Sequence, residues 1–567
     1  MKRFRNALLY ISLTVTVTIS YYSQVDAQQR KEIVIEQANQ MRNLKIDGQE
    51  IRRLIGDVII RHDDVTMKCD SAYEYVGTNH FDAFSRVVII QENSTLYGDT
   101  LRFNGNTKTG KVRGDTVKLV DEEATLITQF IDFNTQQNSA FFYNGGIITT
   151  SDSHFSSQRG YFYSNQDRYV FSGDVAYKDP DILVNTDSLE YHSNTETIYF
   201  FGPSRIYGEK EYLYSEQGWH NRSNNQSEFQ TNTYIDNGDQ RLFGDIVFYD
   251  QQKGHAKLTN NGCIIDSTRK LTLYGHEIEY FEETEYSEVR KDPLAISISE
   301  QGDSLYYRAD LLIGESIKDS INTDSTLYQL LKGDGNVRFY RKDIQGVCDS
   351  MAFHEQDSIL FMHKSPILWN ESHQLTANDI QILFKNDNID RMEFHGASFV
   401  SSQEDSTRFN QIKGREMIGY FQNGNLVKLN VNGNGETIYY VRDEGKLSAV
   451  NKAESSRLTI ALRDSKISSI LFRNEPKATL FPIAKAELQD VMLSGFEWHN
   501  SKRPLSKLDI FPDNFKQDFY MPIERKANLY RQKKTSPVKS LSDFTGTNGF
   551  DKSIKLEEHP HSSTHPR

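Results

Sequence analysis

The sequence predicts an all-β protein built from a repeat, and three observations carry that prediction. A strand-like pattern recurs along most of the chain, each copy alternates apolar and polar residues with a period of two, and no strong helical periodicity runs through the same region. The pattern is plainest at Ile182-Leu-Val-Asn-Thr-Asp-Ser-Leu-Glu-Tyr191: an apolar run, a small or polar pair, an Asp, then apolar residues at every second place. It returns at Leu96–Phe103, Leu242–Tyr249 and Val347–Phe353. Taking the Asp position as a marker gives Asp70, Asp99, Gln129, Arg159, Asp187, Glu216, Asp245, His276, Ala309, Asp349, Asn378 and Arg415. The first seven steps are 29, 30, 30, 28, 29, 29 and 31 residues, and the later ones are 33, 40, 29 and 37. With a weaker copy at Ser456 the chain holds about 12–13 repeats of ~29 residues, a period that means a repeat architecture.

Two columns follow the markers. Two places on stand Leu101, Ile131, Tyr161, Leu189, Val247, Ile278 and Met351. Four places on stand Phe103, Phe133, Tyr163, Tyr191, Tyr249, Tyr280 and Phe353. A spacing of two puts both columns on one strand face, so this face either fills a core or lines a long apolar groove. A second landmark precedes many markers by 14 residues and reads as a strand start: Gly56-Asp-Val58, Gly145-Gly-Ile147, Gly173-Asp-Val175 and Gly262-Cys-Ile264. A third apolar run follows the marker, as at Ser139–Tyr143, Tyr169–Phe171, Ile198–Phe201 and Ile359–Phe361. Each repeat thus reads as three short strands with Asn/Asp/Gly turns between.

The segments divide as follows. Residues 1–27 read as a secretory signal peptide: Lys2, Arg3 and Arg5, an uncharged apolar run, and Val25-Asp-Ala27 before the cleavage point. Residues 28–53 form a polar lead-in, with a short helix expected over about 30–42. The repeats occupy 54–260 and 261–432, with insertions at Glu282–Glu285 and Lys318–Thr326. Residues 433–500 form atypical terminal repeats that cap the edge, broken by the proline-containing Glu475–Pro482 and followed by a short helix expected over 484–492. Residues 501–567 form a polar, largely disordered tail.

Charge and chemistry narrow the function. The net charge is −13, and −15 without residues 1–27; residues 502–567 carry 13 Lys/Arg against 8 Asp/Glu, which leaves −20 on residues 28–501. An acidic body argues against nucleic acid as a partner. The three cysteines, Cys69, Cys263 and Cys348, give no disulfide framework and read as small buried hydrophobes. The marker acids recur once per repeat, whereas a catalytic pair is unique. They read as turn and backbone-bonding residues. No catalytic motif, metal site or cofactor site stands out, so the chain reads as a binding protein and not an enzyme.

The segment Gly56-Asp-Val-Ile-Ile-Arg-His-Asp-Asp-Val-Thr-Met-Lys-Cys-Asp-Ser-Ala-Tyr73 resembles the unit of the OstA/LptA-type lipopolysaccharide-transport (organic solvent tolerance) family, and Gly173-Asp-Val175 leading to Thr186–Tyr191 repeats it. The chain is about twice the usual length and resembles the long Bacteroidetes-type members. It lacks the large C-terminal membrane barrel of the outer-membrane translocon. The resemblance covers roughly residues 54–430. It implies an elongated, open β-jellyroll (a β-taco) in the periplasm, with association with the outer membrane as a further expectation, and an apolar groove for lipid A chains. The 14 column residues named above would line it. Lipopolysaccharide would be the cargo, and inner- and outer-membrane transport proteins of the same fold the partners. The alternative reading of the same period is a secreted parallel β-helix that binds or cleaves polysaccharide; a third is a surface filament protein.

Overall fold

The computed structural model describes residues 33–511, except 63–64, 92, 121–123, 152, 179, 181, 209–210, 282, 300–301, 319–326, 355–356, 387, 464–465 and 488. The proposed signal peptide and the tail from residue 512 onward lie outside the described residues. Those described form 34 strands and three short 3-10 turns, with no α-helix among them. The all-β, repetitive class is therefore what the chain adopts. By its internal contacts it divides into one unit ending at Ile235 and another beginning at Asp236.

In the first unit each strand from Val65–Tyr75 to Thr197–Tyr207 pairs antiparallel with the one before and the one after. Val65–Tyr75 lies between Gln49–His62 and His80–Gln91, and Leu183–His192 between Arg168–Lys178 and Thr197–Tyr207. Every one of these pairings jumps register near its middle, as at Lys68/Ser71, Phe84/Val87, Tyr97/Thr100 and Asn185/Ser188. At the jump, alternate strands turn through a pair of residues in the left-handed region: Gly56–Asp57, Ser85–Arg86, Asn144–Gly145 and Gly173–Asp174. Each strand is thus bent, and its halves belong to two walls. We call wall A the half that precedes the marker and wall B the half that follows it.

This corrects the reading of three short strands per repeat. There are two bent strands, and the apolar runs in the sequence are their halves. The glycine landmark marks the bend and not a strand start. Gly202 shows why: its φ is +80°, and a Cβ there would sit 2.5 Å from the Asp187 carboxylate. The markers face the bend of the next strand. Asp70 pairs with Arg86 at 2.6 Å; the Asp115 amide donates to Asp99 Oδ2 at 3.0 Å; Asn261 Nδ2 donates to Asp245 Oδ2 at 2.7 Å; and Lys364 reaches Asp349 Oδ2 at 2.6 Å. The marker is architectural.

The free ends of wall B carry a second ladder. Asn104, Asn134 and Asn221 each end a strand, and their Oδ1 atoms accept amides two and three residues on. Successive turns are joined by main-chain hydrogen bonds, such as Gly105 N–H to the Asn79 carbonyl and Arg222 N–H to the Glu196 carbonyl. The core lies between the walls. Phe155 of wall A meets Phe171 of wall B edge-on with ring centroids 4.3 Å apart, within one cluster that runs from Leu54 to Phe200.

The second unit keeps the same plan, with some bent strands split in two. Leu271–Phe281 pairs with Tyr286–Arg290 through one half and Leu294–Ile298 through the other. A helix is expected over 30–42, and residues 33–42, the described part, form none. Val34–Gln37 and Gln40–Ile46 are strands paired to the two halves of Gln49–His62, so edge pairing overrides local propensity. Glu475 takes a bend, and Lys477–Pro482 continues as an edge strand on Lys446–Arg463 that ends at its proline. The helix expected over 484–492 is one 3-10 turn, Ile483–Lys485, without a side-chain cap.

Beyond it the described residues up to 511 form no further strand. The chain runs back across the outer face of wall A of the second unit as a strap. Gln411 Nε2 donates to the Val491 carbonyl at 3.2 Å while its Oε1 accepts the Leu493 amide at 2.9 Å. Gln374 binds the Glu497 carbonyl and the His499 amide in the same way at 2.8 and 2.7 Å. Arg503 grips Gln345 Oε1 at 2.7 and 2.9 Å, and Lys452 Nζ reaches the Asp490 carbonyl at 2.9 Å. Val491 and Leu493 fill a small outer core with Phe399, Ile438, Tyr440 and Val450.

Candidate apolar groove

The inward positions on each bent strand fall three and one places before the marker and two and four places after it. Cys69, one place before, shares the core with Met67, and Ala72, two places after, lies in the same cluster. The predicted columns therefore lie on wall B, facing wall A. Leu101, Ile131, Leu189, Tyr191, Val247, Ile278 and Met351 are buried there, as is Phe103. Phe133, Tyr249 and Phe353, nearer the free end of the wall, are half-buried, and Tyr280 is 37% exposed. Aromatic rings follow one another along this face. Phe81 and Phe103 stand 5.3 Å apart, Phe103 and Phe133 6.5 Å, and Tyr169 and Tyr191 6.1 Å.

Tyr161 and Tyr163 are the exception. Gly160 and Phe162 take the inward places on this strand and pair with Phe171 and Tyr169, so the true marker position there is Gln158 and not Arg159. A slip of one residue moves side chains to the opposite face. Tyr161 lies on the outside with Phe141, at 5.8 Å, and Tyr163 lies under the Arg168 guanidinium at 5.7 Å. Sequence spacing alone missed this; the Ser156-Ser157 pair ahead of the bend, both buried, is the signal that the register had moved.

Hydroxyl side chains recur inside the walls at the bend. One place before the marker stand small or hydroxyl residues. Thr128 Oγ1 donates to the Gly145 carbonyl at 2.7 Å, Ser215 Oγ to the Gln230 carbonyl at 2.8 Å, and Thr186 Oγ1 meets Ser204 Oγ at 2.7 Å. The cysteines are buried and unbridged, and burial pushes the Cys69 thiol up to about 11 and the Cys348 thiol up to about 12. They are held as thiols and not as reactive thiolates. Among the described residues no group of three or more His, Cys, Asp or Glu side chains is placed to hold a metal ion.

In the second unit a cleft remains between the walls. His373, Asn410 and Ile412 of wall A face Leu426, Leu429 and Leu462 of wall B around a narrow gap of about 10 Å³, partly open to solvent. Burial lowers the pKa of His373 below the ordinary histidine value, so its ring is neutral at pH 7. No side chain lining the cleft then carries a charge.

These features define a class: an antiparallel, bent-strand repeat protein whose two walls enclose an apolar interior. The family model described as OstA-like protein matches residues 30–187 of the chain. No curated protein matches the chain. Among the described residues no helix is long and apolar enough to cross a membrane, which says nothing of strands.

Proposed function

We propose that the protein is a periplasmic carrier that binds the acyl chains of lipopolysaccharide against the inner face of wall B and passes the lipid toward the outer membrane without chemistry. What supports this reading is the inner face within each unit, where apolar and aromatic residues recur repeat after repeat, and the OstA-like match falls on the first of these repeats. Burying hydrocarbon there gains on the order of 0.8 kcal/mol per methylene. Transport proteins of the same fold at the inner and outer membranes are the partners this reading calls for. The antiparallel pairing of consecutive strands counts against the parallel β-helix alternative.

The test is mass spectrometry of lipid extracted from the protein purified gently from its native envelope. The half-buried residues are the ones to change, because fully buried Tyr191 would unfold the wall. Phe133→Asp with Tyr249→Asp is expected to strip lipopolysaccharide from a protein whose circular dichroism is unchanged. A folded double variant with the normal lipid load rules out this face as the binding surface.

A further inference from the structure

The strap and the cleft of the second unit lie back to back. Along His373–Thr376, His373 faces the cleft and Gln374 faces the strap. Along Phe409–Gln422, Asn410 and Ile412 face the cleft and Gln411, between them, faces the strap. Both glutamines are buried. Each grips the strap's main chain with one donated and one accepted hydrogen bond, the pattern a neighbouring strand would offer. Because side chains make these bonds, the strap can leave without unpairing any rung of the sheet.

The strap also crosses several strands. Its grips fall on Lys452, Gln411, Gln374 and Gln345, each on a different strand of wall A. Widening the cleft requires wall A to change curvature, and a cord fixed at four points across its outer face resists that. The cleft carries no charge, and six of its nine lining side chains are aliphatic beside His373, Ser402 and Asn410, which suits the end of a hydrocarbon chain better than a phosphate.

We propose that residues 490–503 are a latch, which holds the cleft at His373, Asn410, Ile412, Leu426, Leu429 and Leu462 narrow by gripping wall A from behind, and whose release admits the end of an acyl chain. This rests on the acyl-binding reading above, and it places a controlled subsite outside the OstA-like match.

The experiment uses the full chain and an environment-sensitive fluorescent fatty acid. Association is followed by stopped flow for the wild type and for Gln374→Ala with Gln411→Ala, while hydrogen exchange reports the Leu493 and His499 amides. The latch predicts that these amides exchange at least about tenfold faster in the double variant, on the scale of lost local protection, and that the probe associates several-fold faster. Freed amides with an unchanged association rate overturn the latch and leave acyl binding standing. No probe binding by either protein overturns the acyl reading and the latch with it. If the double variant does not fold, Gln374→Glu gives the same comparison, since it keeps an acceptor for His499 and loses the donor to Glu497.

Discussion

At the bends the ladder of main-chain hydrogen bonds is interrupted, and at Thr128, Thr186 and Ser215 the carbonyls it frees are answered by a buried hydroxyl one place before the marker. Thr186 is the fullest case, with its Oγ1 near the Ser204 hydroxyl and 3.3 Å from the Phe201 carbonyl. Thr186→Val keeps the shape and removes the hydroxyl, so it is expected to cost about 1–3 kcal/mol, read as a lower urea midpoint at constant slope. His220 gives a pH test. Burial, helped by the Arg222 charge, lowers its pKa to about 4, so the folded state prefers the neutral ring. Its contribution is present above the unfolded histidine pKa of about 6.5 and is lost as pH falls from there toward 4. His220→Phe is expected to flatten the stability curve in that window; a curve that keeps its slope would place the titration elsewhere. Neither residue announces itself in the sequence, because each answers a partner 15 or more residues away or a burial that only the fold creates.

The bent strand is where sequence and structure parted. Inward residues fall at three and one places before the marker and two and four after it, so the period of two breaks phase once, at the bend. Read along the chain, a break of phase looks like the end of one strand and the start of another. The columns after the marker were legible because they lie within one half-strand. Tyr161 and Tyr163 were misplaced because the break in that repeat comes one residue early. Small residues at the bend reflect the closeness of the walls. A Cβ on Gly98 would lie 2.4 Å from Val112 Cγ1. Gly98→Val is therefore expected to destabilise by about 1–3 kcal/mol through overpacking. Val112→Ala should recover part of that loss in a double-mutant cycle, and additive costs would show that the two walls do not meet there.

Across the whole chain, what escaped the sequence is the strap. A repeat declares itself by period, but a segment held through its main chain by Gln374, Gln411 and Lys452 and through its Arg503 side chain by Gln345 has no period to read, and these glutamines are ordinary polar residues until something covers them. The two units consequently differ in what stabilises them: the first by its internal walls alone, the second by walls plus a brace that buries Val491 and Leu493. Unfolding should then be more than one transition, since chains of this length divide into separately melting units. Truncation after Pro482 removes the brace and exposes Phe399, Ile438 and Val450 on wall A. Losing two buried side chains of this kind costs on the order of 3–6 kcal/mol at the usual 1.5–3 per residue. That loss falls on residues 236–482 and not on 33–235. Calorimetry of the full and truncated chains should show one transition moving down and the other fixed. A shift of both together would mean that the strap supports the whole chain as one cooperative body, and the brace could no longer be assigned to the second unit.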